Sequence, residues 1–140
     1  MPRVYCGGTF DLFHSGHVRF LSMCAKLGSV TVALNSDEFV QRYKNIKPTY
    51  SYEQRKEILL ACTHVDSVVL NLGDEDSTRS IEAIHPDIIA IGTDWANRDY
   101  YKQMGFTQKW LDDCGILLVY LPYTEGISST MIRNNVQIPR

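Results

Sequence analysis

No stretch of the 140-residue sequence is apolar for long enough to cross a bilayer, and its first residues, MPRVYCGG, hold no apolar core of signal-peptide length. A cytoplasmic protein without membrane contact is expected. An excess of positive charge is missing too. Lys and Arg total 14 against 16 Asp and Glu, for a net charge of -2 and a pI near 6.0. Wrapping a nucleic-acid backbone normally needs a basic face, so nucleic acid is not an expected partner. A local cluster of cations can still hold a small phosphate compound. The four cysteines, Cys6, Cys24, Cys62 and Cys114, never fall within four residues of one another. That excludes CxxC zinc and redox motifs, and their mostly apolar neighbours suggest buried, reduced thiols. Repeats and low-complexity tracts are absent as well. What remains, 44% hydrophobic and 21% charged residues, is ordinary for one globular domain spanning residues 1–140.

The apolar runs alternate in character along the chain. Residues 2–7, 29–34, 66–72, 86–92 and 116–121 are short runs rich in β-formers, and each reads as a strand. Between them, 16–27 carries Val18, Leu21 and Ala25 at helical spacing and stops at Gly28. Ser51 with Gln54 three residues on makes a capping box that opens another helix. Further helices are expected at 77–85 with Ser77 as cap, at 107–115, and at 128–135 behind a serine cap. Residues 36–50, polar, lysine-bearing and holding Pro48, read as a long loop. Continuously apolar strands between helices predict an α/β fold, a three-layer α/β/α sandwich that is Rossmann-like, with a mainly parallel five-stranded sheet. Ligands in such folds bind at the carboxyl ends of the strands, which gathers 8–17, 92–99 and 122–133 in one neighbourhood.

Two histidines, His14 and His17, stand three apart at a helix start after a glycine-ended strand. A helix N-terminus offers unpaired N–H groups and the positive end of the dipole, which suits an anion. Gly16 removes a side chain where a phosphate could approach. A metal is the rival reading, but two histidines are few for zinc and the only further ligand nearby is Asp11. Two ordinary surface histidines are the third.

The run GTFDLFHSGHVRFL resembles the cytidylyltransferase branch of the nucleotidyltransferase superfamily, whose HxGH element is here His14-Ser15-Gly16-His17. SYEQRKEIL (51–59), DW (94–95) and TEGISST (124–130) look like elements of the glycerol-3-phosphate cytidylyltransferases, in the same order and at similar spacing. The resemblance covers essentially the whole chain. It implies transfer of CMP from CTP to a small phosphoalcohol, glycerol 3-phosphate first, with Mg2+ accompanying CTP and a homodimer as the assembly.

A phosphate monoester has a second pKa of about 6, so it arrives ionised at neutral pH and needs no general base. The difficulty is bringing two polyanions together, so positioning and electrostatics must supply nearly all the catalysis. The resemblance assigns His14 and His17 to the triphosphate as transition-state stabilisers, with Lys44 as a further catalytic cation. Nucleotide contacts fall to Thr9, Phe10, Asp94, Trp95, Thr124, Gly126, Ile127, Ser128, Ser129 and Thr130. Lys47, Arg55 and Asp11 are assigned to the substrate phosphate; Asp11, which phosphate itself repels, would orient a histidine or help hold the metal. No residue is expected to form a resident metal site. Three hydroxyls in a row at 128–130 exceed what a cap needs and suit phosphate. Tyr123 departs from the family, which has arginine before TEGIS, so that work would pass to another group, such as Arg98 or Arg133, or be lost. An adenylyltransferase using ATP shares the fold and remains open, as does a nucleotide-binding module without catalysis.

Overall fold

Strand β1 (Arg3–Gly8) lies at the centre of a parallel sheet because both its faces are apolar: Val4 and Cys6 point to one side, Tyr5 to the other, and all three are fully buried. The computed structural model describes residues 1–72, 76–92, 105–122 and 126–136. After β1 come α1 (Ser15–Leu27), β2 (Ser29–Leu34), α2 (Asp37–Lys44), α3 (Tyr52–Leu60), β3 (Ser67–Leu70) and α4 (Thr78–Ile84). β4 (Ile88–Gly92), α5 (Gln108–Cys114), β5 (Leu117–Leu121) and α6 (Ser129–Val136) complete the described elements. The five strands run in the order β3-β2-β1-β4-β5, every pairing parallel. This is the expected Rossmann-like sandwich.

Two apolar clusters fill the space on either side of the sheet. Val4, Cys6, Leu21, Cys24, Val32 and Leu59 join α1 and α3 to one face. Tyr5, Ala33, Ile81, Ile89, Phe106 and Leu111 join α4 and α5 to the other. The edges are less covered: Leu70 on β3 and Leu117 on β5 are exposed. No helix among the described residues is long and apolar enough to cross a membrane.

Three expectations change. The stretch 36–50 is not a plain loop, because α2 occupies its first half. Ser36 caps that helix by accepting the Phe39 N–H at 3.1 Å, Asp37 and Glu38 face the positive end of its dipole, and Asn45 closes it in the left-handed conformation. Phe39, Val40 and Tyr43 fall at helical spacing along α2, but only Val40 is buried. Ser77 makes no side-chain cap on α4; Asp76 accepts the Thr78 N–H instead, at 3.0 Å. All four cysteines are free, but only Cys6 and Cys24 are buried, and Cys114 is exposed.

Candidate active site

The loop between β1 and α1 is held in a costly shape. Phe10 and Leu12 both have positive φ, at 51° and 50°, a region that disfavours side chains with a Cβ. Such strain persists only where neighbours over-determine it. Here they do. The Phe10 ring packs over Gly8, where a Cβ would come within 2.9 Å of it, and tilts against the His17 ring. Thr9 gives its carbonyl to Arg55 at 2.8 Å. Asp11 accepts the N–H groups of Thr49 and Tyr50 at 2.7 and 2.9 Å and pairs with Arg133 at 3.0 Å, while its own carbonyl takes the Ser129 hydroxyl.

The histidines are arranged by the same loop. His14 is the N-cap of α1, and its Nδ1 accepts the Gly16 N–H at 3.0 Å. His17 lies in the first turn, and its Nδ1 accepts the His14 N–H at 3.1 Å. An imidazole nitrogen that accepts from a backbone N–H carries no proton of its own, so each neutral ring keeps its proton on Nε2. The rings stack with centroids 3.8 Å apart. Desolvation lowers the pKa of both. For His17 the fall is to about 3, with His14 and Lys44 adding to burial and Asp11 opposing. Both side chains are therefore neutral Nε2–H donors at pH 7.

Gly16 serves a different need from the one expected. A Cβ there would lie 2.8 Å from His14 Cε1, so the missing side chain makes room for the histidine's own ring. Ile127 borders the same spot, its Cγ2 3.4 Å from that Cβ position. The start of α6 thus lies beside the start of α1, and two helix N-termini converge. Gly126, at φ 81°, turns the chain into α6 through a conformation that favours glycine. Of the three hydroxyls, Ser128 caps the helix by accepting the Met131 N–H at 3.1 Å and Ser129 is held by the Asp11 carbonyl. Ser129 thus spends its proton inside the protein, whereas Ser128 only accepts and keeps its own O–H, and Thr130 is exposed. The donors this turn leaves open are therefore the Ser128 and Thr130 hydroxyls and the backbone N–H groups at the helix start.

Arg55 and Asp11 also depart from expectation. Arg55 is wholly buried. Its guanidinium donates to the carbonyls of Tyr50, Thr9 and Asn35 at 3.0, 2.8 and 3.0 Å and to Asp37 at 2.7 Å. With these donors committed, it fastens three loops together and is not presented to a substrate phosphate. Asp11 neither touches a histidine by hydrogen bond nor offers an open oxygen to a metal. Burial alone would push its carboxyl up, but the Tyr50 and Thr49 N–H groups and Arg133 hold it below the usual carboxylate range. Arg133, considered only as a stand-in for the family arginine, is the cation that pairs it, and its Nε is buried without a partner among the described residues. Lys44, at the end of α2, joins this centre: desolvation and then the Arg133 charge pull its pKa down, and Asp11 raises it. Lys47 is exposed on the loop beyond. Asp94, Trp95, Arg98, Tyr123 and Thr124 lie outside the described residues.

Among the described residues no three His, Cys, Asp or Glu side chains gather as a metal site. The assembly is a donor-rich corner at the carboxyl edge of β1, where two neutral imidazoles and two helix starts lie near Lys44.

Residues 5–135 match the cytidylyltransferase-like family. The chain is 37% identical over 139 residues to the glycerol-3-phosphate cytidylyltransferase of Bacillus subtilis (strain 168), covering 97% of this chain and 98% of that one. It is 42% identical over 93 residues to the FAD synthase of Pyrococcus horikoshii, covering 66% of this chain and 63% of that protein. In structure it is similar to the lipopolysaccharide core biosynthesis protein from Thermoplasma volcanium GSS1, with a TM-score of 0.69 at 24% identity, covering 89% of this chain and 97% of the other.

Proposed function

The chain belongs to the cytidylyltransferase-like family, and from that premise we propose that it transfers CMP from CTP to a small phosphoalcohol, glycerol 3-phosphate being the first candidate. A phosphate oxygen of the acceptor attacks the α-phosphorus of CTP. A new P–O–P link forms, the bond to the β-phosphate breaks, and pyrophosphate leaves. The attacking oxygen is already ionised, so no side chain has to remove a proton. His14 and His17 give their Nε2–H groups to the triphosphate, and Lys44 and the two helix N-termini offset the charge that builds in the transition state. The observation that carries this reading is the backbone lock on both Nδ1 atoms, which fixes two parallel imidazoles as donors before any ligand arrives.

Magnesium enters with CTP in this reading. The Asp11 oxygens are taken up by Thr49, Tyr50 and Arg133, so the nucleotide phosphates would supply most of its ligands, and bound there it neutralises phosphate charge. The exposed edge strands β3 and β5 are compatible with the homodimer that the resemblance implies, which sedimentation would measure.

Pyrophosphate release, screened with CTP and a panel of small phosphoalcohols, tests the proposal. His17→Ala should lower kcat by about 10²–10³-fold in a protein that still folds, its melting temperature reduced by the lost cap on the His14 N–H and the lost ring contacts. A binding module would lose affinity alone, and no pyrophosphate with any acceptor would sink the enzyme reading. The FAD synthase relatives favour a second reading, adenylyl transfer from ATP, which a nucleotide competition panel separates from the first.

A further inference from the structure

A file of half-buried amides runs along the carboxyl edge of the sheet to the loop that carries the histidines. Ser80, on α4 and buried, donates its hydroxyl to Asn71 Oδ1 at 2.9 Å and accepts the Leu72 N–H. Asn71 Nδ2 donates to Asn35 Oδ1 at 2.8 Å. Asn35 Nδ2 donates to Thr9 Oγ1 at 3.1 Å. The backbone steps alongside in the same sense: the Asn71 N–H bonds the Leu34 carbonyl, and the Asn35 N–H bonds the Gly8 carbonyl, each at 2.9 Å. Arg55 holds the carbonyls of both Asn35 and Thr9, so neither residue can swing away.

Each link in this file has a direction. A carboxamide has one donor end and one acceptor end, so fixing the first amide fixes the next. The Ser80 hydroxyl has a second acceptor available, the Leu72 carbonyl at 3.3 Å, but the Asn71 contact is shorter. With Ser80 donating to Asn71, Asn71 must donate to Asn35, and Asn35 to Thr9. Thr9 Oγ1 then receives a hydrogen bond and keeps its own O–H for something else. No described residue accepts that proton by hydrogen bond, and Thr9 lies half-buried in the loop that carries His14 and His17.

We infer that Asn35 and Asn71 are positioning residues that hold the Thr9 hydroxyl as a donor toward the nucleotide's phosphate oxygens. The inference rests on the nucleotidyltransferase reading and adds to it residues that neither HxGH nor any other motif contains. Its physical content is polarity. A threonine hydroxyl left alone can turn its proton either way, and one whose lone pair is already occupied by an amide N–H is prepaid for donation to an anion.

Asn71→Asp tests this from a distance. The carboxylate has the amide's shape but cannot donate to Asn35. Asn35 then turns its Nδ2 toward position 71 and presents Oδ1 to Thr9, which captures the hydroxyl proton. We expect kcat/KM for CTP to fall roughly tenfold, with a similar fall for Asn35→Asp and for Thr9→Val. In a Thr9→Val background, Asn71→Asp should cost nothing further, because the group it acts through is gone. Equal losses with and without Thr9, or no loss at all in a folded Asn71→Asp protein, would overturn the inference while wild-type turnover left the enzyme reading intact. A wild-type protein that neither bound nor turned over nucleotide would overturn both. Melting temperatures of the single and double variants separate a damaged fold from a reversed hydroxyl, since a structural fault persists in the Thr9→Val background.

Discussion

At the scale of single residues the site depends on keeping two imidazoles neutral. His17 titrates near 3 in the folded chain against about 6.5 when unfolded, and His14 is lowered in the same direction. Between these values the unfolded chain binds more protons than the folded one, so stability rises with pH across that window and is lost as pH falls below about 6.5. Asp11 works in the same sense, but only below the ordinary carboxylate range, so the interval from pH 7 to pH 5 isolates the histidines. Each proton taken up gives a slope of at most about 1.4 kcal/mol per pH unit. Urea unfolding at pH 7, 6 and 5 should show stability declining, and His17→Gln, which cannot titrate, should flatten the decline. An unchanged slope in that variant would mean His17 is no more shielded than a surface histidine. Gly16→Ala addresses the same pair by shape. Its methyl would sit against the His14 ring, so the imidazole must leave its place over the backbone N–H. We expect kcat/KM to fall by about tenfold or more with a melting temperature only slightly lowered, measured side by side.

At the scale of elements, much of the fold could be read from the chain and much of the site's scaffolding could not. The strands announce themselves as apolar runs and the capping box at Ser51 marks α3 to the residue, because both signals are local. Helix α2 is short and mostly polar, yet it carries two signals: Ser36 followed by Asp37 and Glu38 at its start, and Phe39, Val40 and Tyr43 at helical spacing. His14-Ser15-Gly16-His17 was legible because its chemistry is contiguous. The contacts that give the loop its shape are not: Asp11 meets Arg133 across 122 positions and Arg55 meets Thr9 across 46. A helical arginine looks like a surface residue until the sheet brings three carbonyls to it. Arg55→Leu removes those bonds at once and takes the ion-pair partner from Asp37, which keeps only the Tyr52 N–H. Asp37 is partly open to water, so most of the cost comes from the stranded carbonyls and the loops they fasten. A loss of about 3 kcal/mol in urea unfolding is expected, with Arg55→Lys recovering only part of it because an ammonium cannot fork. A loss below about 1 kcal/mol would show that the three loops hold together without it.

At the scale of the whole molecule, the strand order places the site. The chain leaves β1 toward β2 on one side and later returns to β4 on the other, so a crevice opens at the carboxyl ends of β1 and β4. The HxGH loop forms one wall of it, and α6 is drawn across by Asp11. These walls come from distant parts of the sequence, so a ligand that bridges them acts as a cross-link present only in the folded chain. Its binding then adds to stability by mass action, by about 2.7 kcal/mol at a hundredfold excess over Kd. For a domain of this size that is a rise of roughly 5–10 °C in the melting temperature. The phosphates are common to CTP and ATP, so under the proposed reading the corner of His14, His17 and Lys44 should stabilise with either. Any difference between the two nucleotides must come from the base. Under the cytidylyl reading, CTP raises the melting temperature more than ATP at equal concentration, and inorganic triphosphate gives a smaller rise than CTP. The reverse order for the two nucleotides would transfer the assignment to the adenylyl branch while leaving the phosphate corner as described. Removing the His17 imidazole should shrink the rise for all three ligands together, since that side chain meets only what they share.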